Sequence, residues 1–141
     1  MRRHSAGFLV GLLALTVGLG CGPRTPPTSG TPIEFTDEGA TTRSGHSGPD
    51  PKIDVRRDGS RWLVTVYQGQ QPSGGYAIRV ERATTTGTVL HLRARFQVPP
   101  AGAMVTMSLT SPAHTIGLPF EPDVIVLYDD NDRERARLTV R

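Results

Sequence analysis

The sequence contains one cysteine, Cys21, and few aromatic residues: one tryptophan, three tyrosines and four phenylalanines among 141 residues. A disulfide within the chain needs two cysteines and a cysteine-based zinc site needs several, so both are excluded. Lysine is almost absent, because Lys52 stands alone beside fifteen arginines. A chain of this length has room for one ordinary domain.

Helical patterns and catalytic motifs are also missing. No window of eleven or more residues has apolar side chains at helical spacing, and 16 glycines and 12 prolines interrupt the chain. A coiled coil and a multi-pass membrane protein are therefore excluded. The sequence has no Gly-x-Ser-x-Gly, His-Glu-x-x-His, phosphate-loop or Gly-x-Gly-x-x-Gly motif. We expect a protein that is not an enzyme and that holds neither a metal nor a small-molecule cofactor.

The first twenty residues have the pattern of a secretory signal. Arg2 and Arg3 precede an apolar run over residues 6–19 in which Thr16 is the only polar side chain. The run is shorter than the roughly 20 residues of a membrane-spanning helix, so it predicts export and cleavage. Loss of Arg2 and Arg3 leaves 14 of the 16 basic side chains against 13 acidic ones. The basic pI therefore does not indicate a nucleic-acid partner.

Residues 17–21, Val-Gly-Leu-Gly-Cys, resemble a bacterial lipobox, although Gly18 stands where leucine is usual. The resemblance implies cleavage before Cys21 and a lipid joined to its thiol, which anchors the protein to a membrane. The alternative is a free cysteine within a signal that is cut elsewhere. In two-membrane bacteria, aspartate directly after the lipidated cysteine commonly retains a lipoprotein in the inner membrane, whereas here Gly22 follows Cys21. We therefore expect a cell-envelope location, in the outer membrane of a two-membrane cell and otherwise on the outer face of the plasma membrane.

A stretch rich in proline, glycine, serine and threonine extends over residues 21–51 and predicts a flexible tether. Residues 33–36 could form an edge strand within it or belong to a continuous linker. The sequence thus predicts a signal peptide (1–20), a lipidated cysteine with a tether (21–51) and a β domain (52–141).

From residue 52 onward, the apolar residues alternate as in β-strands, most clearly over residues 90–98. The predicted strands cover residues 52–57, 62–67, 76–81, 90–98, 105–109, 124–128 and 136–140. Residues 62–67 are apolar on both faces, which predicts a central strand. Asp58-Gly59 predicts a hairpin turn. Seven to nine short strands predict an all-β fold, either an antiparallel β-sandwich or a small barrel.

Two segments carry a family resemblance: residues 71–78, Gln-Pro-Ser-Gly-Gly-Tyr-Ala-Ile, and residues 99–119. Together they resemble the C-terminal domain of the PrcB family of protease-complex subunits. In that family a Pro-Thr/Ser-Gly-Gly-Tyr turn is followed by a Pro-x-x-Gly segment, a Thr-x-Pro segment and a short apolar strand. The resemblance covers about residues 62–118. The sequence departs from the family at Met107, where a polar residue is frequent, and at Ala113, where an aromatic residue is frequent.

The resemblance implies a non-catalytic domain of an envelope lipoprotein that binds or assembles with another envelope protein, for which a secreted protease is one candidate. The candidate binding loop contains Ser73, Gly74, Gly75, Tyr76, Ser111, Pro112 and His114. By their own chemistry, the two glycines permit positive φ, and Tyr76 would begin the row of inward-facing side chains on the strand that follows. Ordinary turn chemistry is the alternative reading of the same residues.

Two other functions stay open. Residues 72–76 and 99–103 also resemble loops of chagasin-like protease inhibitors, whose third loop could only be residues 118–120, where its arginine is missing. A purely structural surface domain is the other alternative.

Clustered charges allow two readings as well. Arg93 and Arg95 share one strand face, and a second face near the C-terminus carries Arg133, Arg135, Arg137 and Arg141. These arginines either keep their strand faces solvated or bind an acidic partner. Residues 129–132 form either a polar turn or a calcium-friendly group of oxygens.

Overall fold

The fold is a β-sandwich. A computed structural model describes residues 30–141, which form two sheets and no helix, so none of these residues belongs to a membrane-spanning helix. The strands are β1 (Thr31–Ile33), β2 (Thr36–Thr41), β3 (Lys52–Asp58), β4 (Arg61–Tyr67), β5 (Ala77–Thr86), β6 (Val89–Gln97), β7 (Ala113–Leu118), β8 (Val124–Tyr128) and β9 (Glu134–Thr139). One sheet has the order β1-β5-β6-β8-β9 and the other β2-β7-β4-β3. The predicted all-β sandwich is confirmed, and the sheets do not close into a barrel.

The core lies between the two sheets. Leu90, Leu92 and Ala94 of β6 point inward and are fully buried, as their alternation with polar residues predicts. They belong to the same buried cluster as Val64 of β4 and Ile116 of β7. Each large apolar side chain buried in this way contributes about 1.5–3 kcal/mol. β4 pairs with both β3 and β7, so the prediction of a central strand at residues 62–67 is confirmed.

One pairing corrects the antiparallel prediction. β6 and β8 run parallel, with Val89 opposite Val124. The chain leaves the first sheet after β6, runs back through the second sheet as β7, and returns as β8 in the original direction. The first sheet is therefore mixed.

The predicted strand over residues 105–109 is wrong. These residues belong to a long connection from Val98 to Pro112, in which the side chains of Met107 and Leu109 are exposed. Their apolar alternation fits a strand, but the backbone of this segment pairs with a neighbouring loop instead of a sheet. The following strand, β7, lies where the family resemblance implies a short apolar strand.

The structure also corrects the N-terminal boundary of the β domain. β1 pairs with β5 and β2 pairs with β7, so residues 31–41 belong to the two sheets and not to a tether. Phe35, at the crossing between them, packs against the core. All six residues of β2 are exposed, so no hydrophobic pattern marks this strand. The predicted signal peptide, Cys21 and the remaining predicted tether residues, 22–29, lie outside the described residues.

The N-terminal strand β1 begins at one end of the sandwich, and β5 begins at the other. Thr31 of β1 lies opposite Thr85, near the C-terminal end of β5, whereas Ala77 begins β5 at the other end. At the rise of a β-strand these ends are about 26 Å apart. The chain therefore enters the sandwich at the end opposite to the loops that precede β5 and follow β6.

Candidate functional site

Two loops meet at the end of the sandwich remote from β1. We call residues 68–76 and 98–110 the paired-loop surface. Gln71 and Thr110 exchange two backbone hydrogen bonds of 2.8 and 3.0 Å, and the Thr110 hydroxyl donates to the Ser73 carbonyl at 2.8 Å. The Gly74 amide donates to the Thr106 carbonyl at 2.9 Å. The two segments that carry the family resemblance are thus one structural unit.

The paired glycines make this contact sterically possible. Gly75 has a φ of +86°, and a Cβ atom there would lie 2.8 Å from Cβ of Pro99 and 3.0 Å from Cγ1 of Val105. A Cβ atom on Gly74 would lie 2.5 Å from the Thr106 hydroxyl oxygen. The second loop can lie directly on the first only because neither position has a side chain.

The second loop exposes a group of apolar side chains. A turn closed by the Ala103 amide donating to the Pro100 carbonyl at 3.0 Å, with Gly102 at a φ of +77°, begins the exposed tip. All the exposed large hydrophobic residues among residues 30–141 lie in this loop: Val98, Met104, Met107 and Leu109. Met104 and Met107 are almost completely accessible. Exposed apolar side chains on one loop are a candidate contact surface.

Most of the predicted binding residues form the base of this surface rather than its exposed part. Ser73 is buried, with its hydroxyl donating to the Gly74 carbonyl at 3.1 Å, and Pro112 is buried as well. The Ser111 amide donates to the Thr42 carbonyl at 2.8 Å. Tyr76 is half-buried. Sequence reasoning missed the exposed methionines, although the departure from the family pattern at Met107 was a signal.

His114 lies within β7 and not in the preceding loop, where the sequence places it. Its side chain is only 1% exposed. Nδ1 accepts a hydrogen bond from the Val80 amide at 3.0 Å, and Nε2 donates to Oδ1 of Asp37, also at 3.0 Å. The partners fix the tautomer, with the proton on Nε2. His114 therefore joins β2 and β7 of one sheet to β5 of the other.

An aspartate–histidine pair is also a component of catalytic triads, but this one cannot work as such. A general base must accept a proton through the ring nitrogen that faces away from the aspartate. In His114 that nitrogen, Nδ1, is already occupied by the amide of Val80. Val80 borders the bulge of β5, where the register to β6 shifts, and His114 gives its amide a partner. The pair is a structural link between the sheets.

Two carboxyl groups have lowered pKa values. For Asp37 the main cause is the hydrogen bond from His114, supported by the Gly39 amide and the charge of Arg79. For Asp129, burial alone raises the pKa, but hydrogen bonds from the Arg133 and Asn131 amides and from the Arg135 guanidinium outweigh it, so the pKa is lowered. Both carboxylates thus favour the folded state when they are ionised.

These shifts predict a loss of stability in acid. Since the folded pKa lies below the unfolded value of about 3.8, the unfolded chain binds more protons in the interval between them. The stabilisation is complete above the unfolded pKa and is lost as the pH falls through the folded pKa. We expect Asp37→Asn to reduce the difference in the free energy of unfolding between about pH 6 and about pH 3, measured by urea unfolding. Asp58→Asn, at the exposed C-terminal end of β3, is the control, and an equal effect of both variants would contradict the prediction.

The arginine-rich faces are compensated by neighbouring acids. Arg95 pairs with Glu81 at 3.0 Å, and Arg137 contacts both carboxylate oxygens of Glu134 at 2.9 and 3.0 Å. Arg93 pairs with Asp132. This pairing favours a solvated face over a site for an acidic partner.

The acidic segment 129–132 forms the turn between β8 and β9. Oδ1 of Asp129 accepts hydrogen bonds from the amides of Asn131 and Arg133 at 2.9 and 3.0 Å, so this carboxylate holds the turn of its own chain. Among residues 30–141, no group of three or more His, Cys, Asp or Glu side chains is placed to hold a metal.

The third loop of an inhibitor-like arrangement does not reach the paired-loop surface. Ala113 of β7 lies opposite Tyr67, next to the first loop, whereas Leu118 lies opposite Trp62 at the other end of β4. Residues 118–120 are therefore at the opposite end of the sandwich from residues 72–76 and 99–103. The three-loop wedge of chagasin-like inhibitors cannot form from these segments.

The comparison with protein families matches one segment of the sandwich. Residues 62–119 match the family model described as PrcB C-terminal. The match begins in β4, ends just after β7, and contains both loops of the paired-loop surface. Neither a curated protein nor a solved structure matches the chain. The predicted PrcB-like domain is confirmed.

Proposed function

We propose that this PrcB C-terminal domain belongs to a bacterial cell-envelope lipoprotein and binds another envelope protein through the paired-loop surface. The observation that supports the proposal is the collection of exposed apolar side chains on residues 98–109, within the segment that matches the family. A protein interface buries such side chains at its centre. The family's link to a protease complex makes a secreted protease the first partner to test.

The architecture of the surface suits binding. Hydrogen bonds at Gln71, Gly74 and Thr110 hold the two loops together before any partner arrives, which lowers the entropy cost of association. Methionine side chains adapt to the shape of a partner, because they are unbranched and polarisable. A fixed base with adaptable tips is a suitable arrangement for a docking surface.

The position of the N-terminus favours a protein over the anchoring membrane as the partner. A lipid on Cys21 would be followed by eight residues before Gly30, a reach of at most about 30 Å. The chain then enters the sandwich at the end opposite to the paired-loop surface. A domain tethered in this way presents its exposed methionines away from its own anchor.

The double variant Met104→Asp/Met107→Asp tests the binding surface. We expect the yield of the partner crosslinked in intact cells, quantified by mass spectrometry, to fall about tenfold or more, because two carboxylates would have to be desolvated in an apolar contact. Stability should change by less than about 0.5 kcal/mol, since both side chains are exposed. The control is Thr86→Asp/Thr88→Asp at the opposite end of the sandwich. Equal yields from both double variants would show that the second loop is not the contact.

Lipidation is tested separately at Cys21. We expect the chain to take up an alkyne fatty acid during growth, and Cys21→Ser to abolish the label, because the lipid is joined through the thiol. Thr28→Ser keeps the cysteine and serves as the control. Label retained by Cys21→Ser would overturn the lipoprotein assignment without affecting the binding surface.

A further inference from the structure

A cleft of about 290 Å³ opens beside the paired-loop surface. Gln68 and Tyr76 line it from the first loop, Phe96 and Val98 from the end of β6 and the residues that follow, and Arg135 from β9. Val98 is also one of the exposed apolar residues of the second loop. The cleft is therefore continuous with the surface that we propose for partner binding.

At this cleft, the side-chain oxygen of Gln68, Oε1, is a buried acceptor that receives no hydrogen bond from the described residues. The residue is only 6% exposed, and its Nε2 donates to the Gln97 carbonyl at 3.1 Å. This bond fixes the amide, because the opposite orientation would set two oxygens against each other. No residue in the described part of the chain donates a hydrogen bond to Oε1. Buried acceptors are nearly always paired, so Oε1 is suited to a donor from another molecule.

The charged groups around the cleft are used within the chain. Asp129 accepts hydrogen bonds from its own turn and from the Arg135 guanidinium at 3.1 Å, and that guanidinium lies 4.6 Å from the centre of the Phe96 ring. Oδ1 of Asp130 accepts from the Phe96 amide at 3.2 Å. Arg133, the remaining charged residue of the lining, lies 3.5 Å from the same Asp129 carboxylate. The two acidic and two basic side chains of the cleft balance, so a charged ligand would find little net charge. A neutral N–H donor flanked by apolar surface fits the cleft better.

We infer that the cleft receives an extended peptide segment of the partner protein, with one main-chain N–H donating to Oε1 of Gln68 and the adjacent neutral side chain lying between Tyr76 and Val98. This inference rests on the proposed binding function. Oε1 is closed to bulk water, so the segment must displace a neighbouring side chain. The side chain of Gln71 also lines the cleft and can move, because its amide donates only a 3.3 Å hydrogen bond to the Gly69 carbonyl of its own loop. A main-chain donor is available at almost every residue of a peptide, and neighbouring side chains then set the specificity.

Site-specific photocrosslinking of the full chain in its own cells tests the placement. A photoreactive amino acid replaces Gln71 at the cleft, Met104 at the loop tip, or Ser60 in the distant β3–β4 turn. We expect the probes at Gln71 and Met104 to label the same partner protein, and the Gln71 adducts to lie in one continuous segment of that partner. The probe at Ser60 should not label it. Adducts at Met104 alone, or glycan adducts at Gln71, would overturn the peptide cleft and leave the binding surface standing. Adducts at neither position would overturn the binding function itself.

A synthetic peptide of the labelled segment then tests the hydrogen bond. Each amide is methylated in turn, and binding to the full chain is measured by fluorescence anisotropy. We expect methylation at one position to weaken binding about tenfold, and the same change to have less than about a twofold effect on Gln68→Met, which lacks the acceptor. If Gln68→Met does not fold, the methylation scan with the unaltered chain alone tests whether one main-chain amide of the peptide is required. Uniformly small effects across the scan would overturn the role of Gln68.

Discussion

His114→Ala is expected to lower the free energy of unfolding by about 3–5 kcal/mol, a large part of the stability of a small domain. The substitution removes a buried ring and leaves a cavity between the sheets. It also leaves the Val80 amide without its acceptor and removes the main donor to Asp37. A buried amide without a partner alone costs about 1–3 kcal/mol.

Urea unfolding of three variants separates these causes. His114→Phe retains most of the ring volume but neither hydrogen bond, so its cost measures the polar contribution, expected at about 2–3 kcal/mol. His46→Ala removes a half-buried ring that lies tilted beside the Tyr67 ring, with 5.1 Å between the ring centres, and should lower the free energy of unfolding by less than about 1 kcal/mol. A cost of His114→Ala close to that of His46→Ala would show that His114 does not hold the sheets together.

The role of His114 could not be inferred from the sequence. Its two partners are 34 and 77 positions away along the chain. One of them, Asp37, lies on β2, a strand without any buried residue inside a segment whose composition predicts a tether. A lone histidine beside a Thr-x-Pro motif is typical of a surface loop. Only the pairing of β2 with β7 brings the aspartate to it.

Features that depend on local pattern were predictable from the sequence. The alternation over residues 90–98 specifies β6 because one face of the strand is buried, and Asp58-Gly59 specifies the β3–β4 hairpin, where Gly59 has a φ of +61°. The parallel pairing of β6 with β8 was not predictable, because it follows from the excursion of β7 into the other sheet. Apolar alternation at residues 105–109 was misleading, since Met107 and Leu109 face solvent.

The family motif located the candidate site but not its exposed residues. The Ser-Gly-Gly-Tyr segment predicts a turn with positive φ, and Gly75 has this conformation. What the sequence could not provide was the second loop lying on top of the glycines, a contact between residues about 30 positions apart. This contact explains why two adjacent glycines are needed where one would be sufficient for the turn.

Gly75→Ala should therefore lower the free energy of unfolding far more than the same substitution at another glycine with a positive φ. Gly87, in the β5–β6 turn, has a φ of +60° and open space around the position of an added Cβ. Gly87→Ala should cost about 1 kcal/mol from backbone strain alone. An added Cβ on Gly75 meets the Pro99 ring at 2.8 Å, and a ring atom cannot rotate away. We expect about 3 kcal/mol for Gly75→Ala, because strain is combined with displacement of the second loop.

The same pair of variants connects the loop geometry to binding. Displacement of the second loop moves Met104 and Met107, so Gly75→Ala should reduce the crosslinked partner about tenfold even at temperatures where urea unfolding shows the variant to be folded. Gly87→Ala changes the opposite end of β5 and should leave the yield unchanged. If both variants cost the same stability, the second loop does not press on Gly75. If Gly75→Ala is destabilised but binds its partner normally, the position of the loop is important for folding and not for recognition.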